Sequence, residues 1–138
     1  MKKGFAITLL VFMVLALAGC SNYRSSYSAI GLVRSNTSHR AYLNFHILKG
    51  SLVYDLKVNG SEDIICTGKL EEGKLSVYYD VDGTKKDLVQ LSGGQTFDIV
   101  MDDLKAGKVI IIVETDGKCK DGRLEFEVKG REGQSEPH

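Results

Sequence analysis

The sequence lacks tryptophan and contains one proline, three cysteines and three histidines. Tryptophan is the best of the flat aromatic side chains on which sugars stack, so its absence weakens a carbohydrate-binding function without excluding it. Zinc-type sites need clustered cysteines and histidines, and here the histidines are scattered and no Cys-x-x-Cys pair occurs. Gly-x-Ser-x-Gly and His-Glu-x-x-His motifs are also missing. We therefore expect no enzyme, no metal site and no cofactor.

Charge of one sign is not in excess, because 18 basic residues balance 18 acidic residues. A protein that binds nucleic acid usually carries a basic stripe, and none is visible here. No run of like charges indicates an electrostatic tail either. The sequence therefore predicts no nucleic-acid partner.

Long apolar runs are scarce, and the main one covers the 14 residues 5–18. A helix needs about 20 such residues to cross a bilayer, so this stretch is too short for a spanning anchor. It follows Lys2 and Lys3 and ends in the small residues Ala18 and Gly19. A basic start, an apolar centre and small residues at the end are typical of a cleaved export signal.

The residues at the end of this stretch, Leu17, Ala18, Gly19 and Cys20, resemble the lipobox of bacterial lipoprotein precursors. The resemblance implies cleavage before Cys20, a diacylglycerol group on its thiol and a free amino group open to acylation, for example by palmitate. Each buried methylene contributes about 0.8 kcal/mol, so two or more acyl chains hold a protein stably. The expected location is the extracytoplasmic face of a cell membrane. Ser21, in place of an aspartate, is compatible with the outer membrane if the source has two membranes.

Cleavage before Cys20 would leave 119 residues, the size of one domain. Residues 1–19 are the predicted signal peptide, and the serine-rich residues 20–28 are predicted to tether the lipid to the domain. The folded unit is predicted to cover residues 29–129. Residues 130–138 have too little apolar content to pack, so we expect this tail to be disordered.

Alternation of apolar and polar residues dominates residues 29–129 and predicts half-buried strands. The expected inward rows are Ala41, Leu43, Phe45 and Ile47; Leu52, Tyr54, Leu56 and Val58; Leu75, Val77, Tyr79 and Val81; Phe97, Ile99 and Met101; and Leu124, Phe126 and Val128.

Reversal signals rich in glycine separate these rows. They are Lys49-Gly50, Asn59-Gly60, Glu72-Gly73, Asp82-Gly83, Gly93-Gly94, Ala106-Gly107, Asp116-Gly117 and Asp121-Gly122. Glycine supplies the positive φ that tight hairpins require. Eight or nine short strands joined this way predict an all-β, antiparallel β-sandwich of jelly-roll or immunoglobulin-like type.

Residues 103–113 contain a Leu-x-Ala-Gly corner, Leu104 to Gly107, that leads into an apolar strand. This segment resembles one that is common in jelly-roll, galactose-binding-like and pre-peptidase C-terminal domains. The resemblance covers about a dozen residues. It favours the jelly-roll arrangement and implies no functional residue.

Cys66 and Cys119 are the cysteines that remain beside Cys20. Export would place them where disulfides persist, and a bond closing so large a loop would contribute roughly 2–4 kcal/mol. The alternative is that Cys66 is a small buried strand residue. The sequence does not distinguish a disulfide from two free cysteines.

Residues 109–113 are five consecutive apolar residues, so both faces of the strand must be covered. One possibility is that a loop or the serine-rich tether lies over Ile110 and Ile112. The other is that these two residues form a docking patch for an envelope protein. That patch would suit a structural or inhibitory protein.

Tyr78 is the aromatic residue expected to point outward, beside Ser76 and Asp80, and it is the candidate ligand contact. His46 shares a predicted outer face with Tyr42 and Asn44, an ordinary solvated surface with no catalytic pattern. Asp80 and Asp82 do not match the spacing of a calcium loop, and Asp82-Gly83 is better interpreted as a hairpin turn. The sequence thus predicts a lipid-anchored, non-enzymatic binding or interaction module. The alternatives are a glycan- or small-ligand-binding lipoprotein, or a docking protein that uses residues 109–113.

Overall fold

A computed structural model describes residues 23–130 of the protein. These residues form seven strands: β1 (Ser26–Ile30), β2 (Val33–Asn36), β3 (Arg40–Val58), β4 (Glu62–Asp80), β5 (Lys85–Ser92), β6 (Gln95–Met101) and β7 (Gly107–Gly130). Every strand pairing is antiparallel. The all-β prediction is confirmed. The predicted signal peptide, Cys20 and residues 131–138 lie outside the described residues.

The three long strands β3, β4 and β7 are the centre of the sheet, whose order is β1-β3-β7-β4-β5, with β2 added to β3 and β6 added to β4. Each long strand bends near its middle, so the sheet folds over into two facing layers. Layer A contains β2, β6 and residues 40–48, 62–70 and 119–130. Layer B contains β5 and residues 51–58, 74–80 and 107–116. The architecture is the predicted antiparallel β-sandwich.

Glycines make these bends possible. Gly50 has φ 126°, and a Cβ at this position would collide with the carbonyl oxygen of Ser26. Gly73 has φ 102°, and a Cβ there would lie 2.8 Å from the sulfur of Cys119. The pairing register shifts at both positions, between Leu48 and Ser51 and between Glu72 and Lys74. Each bend is therefore a bulge at which only glycine fits without strain.

Four of the eight predicted reversal signals lie inside the long strands and not between strands. Asn59-Gly60, Asp82-Gly83, Gly93-Gly94 and Ala106-Gly107 lie at the ends of strands, as predicted. Lys49-Gly50, Glu72-Gly73, Asp116-Gly117 and Asp121-Gly122 lie inside β3, β4 and β7. The described residues therefore form seven strands, three of them long, in place of eight or nine short ones. A bulge and a hairpin both need positive φ, so the sequence pattern does not distinguish them.

The core lies between the layers. Most predicted inward rows are confirmed, including Leu43, Phe45, Leu124 and Phe126, each no more than 2% exposed. The alternation changes face between Phe45 and Leu48, ahead of Gly50, so Leu48 is buried where Ile47 was predicted to be. Val81 was also predicted inward and is 38% exposed, because it follows the end of β4 in the hairpin turn.

Within residues 23–130, no strand pairs with the outer edge of residues 52–58 of β3 in layer B, and the residues before β3 close this edge. The amide of Val53 donates to Ser25 Oγ at 2.9 Å, and the amide of Lys57 donates to the carbonyl of Ser38 at 2.8 Å. Asn36 bonds both backbone groups of Asp55. An open edge is a template for aggregation, so these contacts protect the sandwich.

Arg34 closes the gap between the layers at the same edge. Its guanidinium donates to the carbonyl of Val53 at 3.3 Å and lies 4.8 Å from the centre of the Tyr54 ring. Tyr54 is 1% exposed, and its hydroxyl has no hydrogen-bond partner among the described residues. Burial raises the pKa of Tyr54 to about 12.

The folded unit is longer at both ends than predicted. Ser26 and Ser28, assigned above to the tether, pair with β3 as part of β1. Gly130, assigned to the tail, pairs with Glu62 at the end of β7. Strand pairing satisfies their backbone groups whatever the side chains are, which is why a serine-rich composition did not reveal it. Within residues 23–130, no helix has the length and apolar character needed to cross a membrane.

Candidate functional site

The outer surface of layer B holds the two sequence-predicted surface sites, and both are covered. Tyr78 is half-buried, and the Lys85 ammonium lies 4.2 Å from the centre of its ring. Lys85 is held there by an ion pair of 3.0 Å with Glu114. A cation already occupies the surroundings of this ring, so Tyr78 is a poorer stacking platform than its exposed position in the sequence pattern suggested.

Ile112 points to the outer surface of layer B, yet it is only 1% exposed. It lies between Val53 of β3 and Tyr78 of β4 in register. The chain before β1 crosses above it: Ser25 accepts the bond from Val53, and the Tyr23 hydroxyl donates to Asp80 Oδ2 at 2.7 Å. Of the two alternatives, the described residues favour coverage by the tether. The alternative of a free docking patch at Ile112 is not supported by this burial.

Ile110 is the neighbouring outward residue of this strand, and it is partly buried. It pairs with Asp55 on one side and Asp80 on the other. An apolar docking patch would therefore be bordered by two carboxylates, of which Asp80 already binds Tyr23. Ile110 remains partly accessible, but it does not form a patch with Ile112.

Cys66 and Cys119 are free thiols, each 0% exposed, so of the two alternatives left open the structure shows no disulfide between them. Cys66 pairs in register with Phe126, which lies seven residues beyond Cys119 in β7. At about 3.3 Å per residue the two cysteines are roughly 20 Å apart along the sheet, far beyond the reach of a disulfide. The interpretation of Cys66 as a small core residue fits its position. Burial raises the pKa of its thiol to about 12.

Asp80 accepts the amides of Asp82 and Gly83 at 3.2 and 2.6 Å, besides the Tyr23 hydroxyl. It was predicted on a solvated face and is 6% exposed. These bonds shape the β4–β5 hairpin, as expected for a turn. Within residues 23–130, no group of three or more potential ligand side chains is arranged to hold a metal ion.

The outer surface of layer A is open and polar. Four strands align side chains across it in two rows. The first row is Asn44, Arg123, Lys69 and Thr96, and the second is Tyr42, Glu125, Thr67 and Asp98. Strands lie about 4.8 Å apart and alternate residues about 6.6 Å apart, so the rows cover an area of about 14 by 7 Å.

Two adjoining depressions lie on this surface. One, of about 530 Å³, is lined by Asn44, Phe45, Lys69, Glu71, Asp121, Gly122 and Arg123. The other, of about 420 Å³, is lined by Thr67, Gly68, Lys69, Thr96, Phe97, Asp98, Arg123 and Glu125. Lys69 and Arg123 belong to both, so the depressions form one continuous groove. We call it the layer A groove.

Lys69 and Arg123 are directly opposed across β4 and β7. Like charges in this position destabilise a sheet, and no ion pair joins either cation to a carboxylate within residues 23–130. The Arg123 guanidinium lies 5.5 Å from the centre of the Tyr42 ring. Both cations keep hydrogen-bond donors free in the groove, as expected of a binding surface that is not optimised for stability.

Tyr42 is fixed at one end of the groove. The Arg40 guanidinium also lies 5.5 Å from its ring centre and forms an ion pair of 2.6 Å with Glu125. Asn44 donates from Nδ2 to the Tyr42 hydroxyl at 3.2 Å, which leaves the Asn44 carbonyl oxygen unused. The end of the groove is therefore held in place before any ligand arrives.

His46 and Asp121 lie beyond the first row, with Nδ1 and Oδ1 2.8 Å apart. Both side chains are more than half exposed. No serine, threonine or cysteine side chain is hydrogen-bonded to His46 in the described part of the chain. The pair fits a surface contact and does not form a nucleophilic triad.

The sequence placed Tyr42, Asn44 and His46 on one outer face, and the structure confirms this. The sequence analysis did not identify Lys69, Arg123 or Asp98 as neighbours of these three residues. Strand alternation predicts which residues share a face of one strand, whereas the neighbours across strands depend on the sheet order and register. The only signal in the sequence was that Lys69 and Arg123 each occupy an outward position next to apolar residues of a predicted strand.

No protein-family model matches the chain, and no curated protein sequence does. Among solved structures, TmCBM61 in complex with beta-1,4-galactotriose is similar with a TM-score of 0.50 and 17% identity, over 81% of this chain and 90% of that chain. CBM35 from Paenibacillus barcinonensis matches at a TM-score of 0.39 and 15% identity, over 80% of this chain and all of that one. The first similarity supports the β-sandwich fold. No function follows from either.

Proposed function

We propose that the protein is a non-enzymatic carbohydrate-binding module that takes a neutral oligosaccharide in the layer A groove. The observation that carries the proposal is the row of Asn44, Arg123, Lys69 and Thr96, in which polar groups from four strands face one open groove. TmCBM61, which was solved in complex with beta-1,4-galactotriose, shares the fold and so supports the same class of ligand.

The chemistry of the groove suits sugar hydroxyls, each of which both donates and accepts hydrogen bonds. Lys69 and Arg123 supply the donors, and the carboxylates of Glu71, Asp98, Asp121 and Glu125 lie around them, with Glu125 paired to Arg40. The charges of these side chains nearly balance, which favours a neutral ligand over an anionic one. The absence of tryptophan means that hydrogen bonds must supply most of the affinity, because Tyr42, like Tyr78, already has cations beside its ring.

Isothermal titration of the detergent-solubilised protein with β-1,4-galactotriose and a panel of neutral oligosaccharides tests this proposal. Arg123→Ala and Lys69→Gln are each expected to weaken binding about tenfold or more, because a hydrogen bond to a charged group contributes about 1.5–3 kcal/mol. Lys108→Ala, an exposed change on layer B, is the matched control and should bind normally. If no sugar in the panel binds, or if the control weakens binding equally, the proposal is wrong.

Tyrosine fluorescence discriminates between the two surfaces, because no tryptophan masks it. If ligand binds in the layer A groove, Tyr42→Phe removes the ligand-dependent change and Tyr78→Phe retains it. The reverse result would support the Tyr78 surface that the sequence suggested.

We also propose that Cys20 carries the lipid anchor and that the protein is held on the extracytoplasmic face of a cell membrane. The support comes from residues 1–20 of the sequence, with their basic start, apolar stretch and small residues before the cysteine. Mass spectrometry of the N-terminal peptide is expected to find Cys20 as the first residue with acyl groups attached. A different first residue, or an unmodified Cys20, would contradict the anchor without affecting the sugar-binding result.

A further inference from the structure

The last residues before β1 are attached to one particular side of the sandwich. Tyr23 binds Asp80 of β4 through its hydroxyl, and Ser25 binds Val53 of β3. Between these strands lies β7, so the chain from Ser25 to Tyr23 must pass over the outer surface of layer B. The near-complete burial of the outward-facing Ile112 agrees with this path. These contacts hold residues 23–25 against one layer.

The position of Tyr23 limits how far the proposed anchor can be from the domain. Only three residue steps separate Cys20 from Tyr23. Even when fully extended, three steps span about 11 Å. A lipid on Cys20 would therefore enter the bilayer within about 11 Å of the Tyr23 backbone. A free tether over the nine residues 20–28, as the sequence suggested, would have allowed every orientation.

We infer that the contacts of Tyr23 and Ser25 orient the anchored domain, so that layer B faces the lipid surface and the layer A groove faces away from it. The inference rests on the anchor that we proposed above, and it adds a function for the tether. The two layers lie about 10 Å apart, so the groove is at least that much farther from the headgroups than the outer surface of layer B. A short, fixed tether thus presents the groove to ligands outside the membrane.

Two lysines on opposite outer surfaces provide matched labelling positions. Lys108 lies on layer B and Lys129 on layer A, and both are exposed. Each takes part in one exposed ion pair, of 3.9 Å with Asp55 and 3.7 Å with Glu127, so their replacement costs little stability. Cys66 and Cys119 are fully buried, so a thiol-reactive dye labels only an introduced cysteine in the folded protein.

The experiment uses full-length protein purified from membranes and reconstituted into phosphatidylcholine vesicles that contain a nitroxide-headgroup lipid. A dye at Lys108→Cys is expected to be quenched several-fold more than a dye at Lys129→Cys. Adding Tyr23→Phe, or Ser25→Ala as a second variant, should bring the two values towards equality. Each of these variants removes one side-chain hydrogen bond of the tether and leaves the core unchanged.

Equal quenching of the two dyes in vesicle-bound wild-type protein would overturn the inference, and so would stronger quenching at Lys129→Cys. Failure of the protein to enter vesicles would overturn both the anchor and the orientation. Sugar binding is measured by titration of the same samples. It can therefore succeed when the orientation fails, and the two proposals are tested separately.

Discussion

The side-chain amide of Asn36 pairs with both backbone groups of Asp55, as a neighbouring strand would. Its Oδ1 accepts the Asp55 amide at 3.0 Å, and its Nδ2 donates to the Asp55 carbonyl at 2.8 Å. None of the described strands pairs with layer B on this side, so one side chain substitutes for the missing hydrogen bonds. A strand edge that would otherwise be open is closed at its centre.

Asn36→Ala is expected to lower the free energy of unfolding by about 1–2 kcal/mol, because two hydrogen bonds are lost. It should also increase self-association, since the edge at Asp55 becomes available to another chain. Urea denaturation and sedimentation velocity measure the two effects. Ser35→Ala, an exposed change in the same strand, is the control. Unchanged stability of Asn36→Ala would show that the pairing contributes nothing.

Gly73 and Gly83 both have positive φ, of 102° and 94°, but their surroundings differ. A Cβ at Gly73 would lie 2.8 Å from Cys119 Sγ and from the Lys118 carbonyl oxygen, whereas nothing lies within 4 Å at Gly83. Gly83→Ala should therefore cost only the backbone strain of about 1 kcal/mol, and Gly73→Ala clearly more. Thermal unfolding compares the two. Equal losses would mean that the bend in β4 tolerates a side chain.

The two buried thiols give a chemical test of whether Cys66 and Cys119 form a disulfide. In the folded protein neither Cys66 nor Cys119 should react with a thiol reagent, because both are 0% exposed. In denaturant without reductant, both should react. Reducing agent should leave the unfolding temperature unchanged. A non-reduced mass about 2 Da lower than the reduced mass would instead indicate a bond between them.

Alkaline pH should destabilise the fold through Cys66. Burial raises the pKa of its thiol from 9.0 to about 12, so the unfolded chain loses this proton before the folded chain does. The contribution of this thiol to stability is complete below pH 9. It declines as the pH rises from 9 towards 12, by about 1.4 kcal/mol for each unit between the two pKa values.

Urea denaturation between pH 8 and 11 measures this dependence. Cys66→Ala removes the thiol and should flatten the decline, although it also lowers stability at every pH because a buried atom is lost. Val77→Ala is a buried truncation without a titrating group and should keep the wild-type slope. If Cys66→Ala and wild type decline in parallel, another group controls alkaline unfolding. Tyr54, whose pKa is about 12, is then the next candidate.

Lys69→Gln should separate stability from function. The charge of Lys69 directly opposes that of Arg123, so its removal is expected to leave the free energy of unfolding unchanged or slightly higher, by up to about 1 kcal/mol. The same variant should bind sugar less well if the proposed groove is correct. Denaturation and titration on one preparation check both. A loss of stability would show that Lys69 serves the fold.

The amino-acid sequence determined the class of fold and most of the core. Strict alternation in residues such as Leu124, Phe126 and Val128 can bury only one face, and glycines with positive φ permit sharp changes of direction. Neither signal says whether the chain reverses or only bends, and this is why Gly50 and Gly73 were assigned to turns. The prediction also placed the change of the buried face at Lys49-Gly50, whereas the structure places it earlier, between Phe45 and Leu48, so that Leu48 is buried in place of Ile47.

Only the tertiary structure decided which surfaces are free. Ile112 is buried where Tyr23 bonds to Asp80 and Ser25 to Val53, and both of these polar residues are distant in sequence from β7. The groove likewise depends on register, which brings Asn44, Arg123 and Lys69 together from three strands. Side-chain patterns are local properties of the chain. The neighbours of a strand result from long-range pairing. The backbone hydrogen bonds of this pairing are the same for every residue type, so they do not specify which strands pair. The arrangement that buries the most apolar surface of the whole sheet is the one that forms.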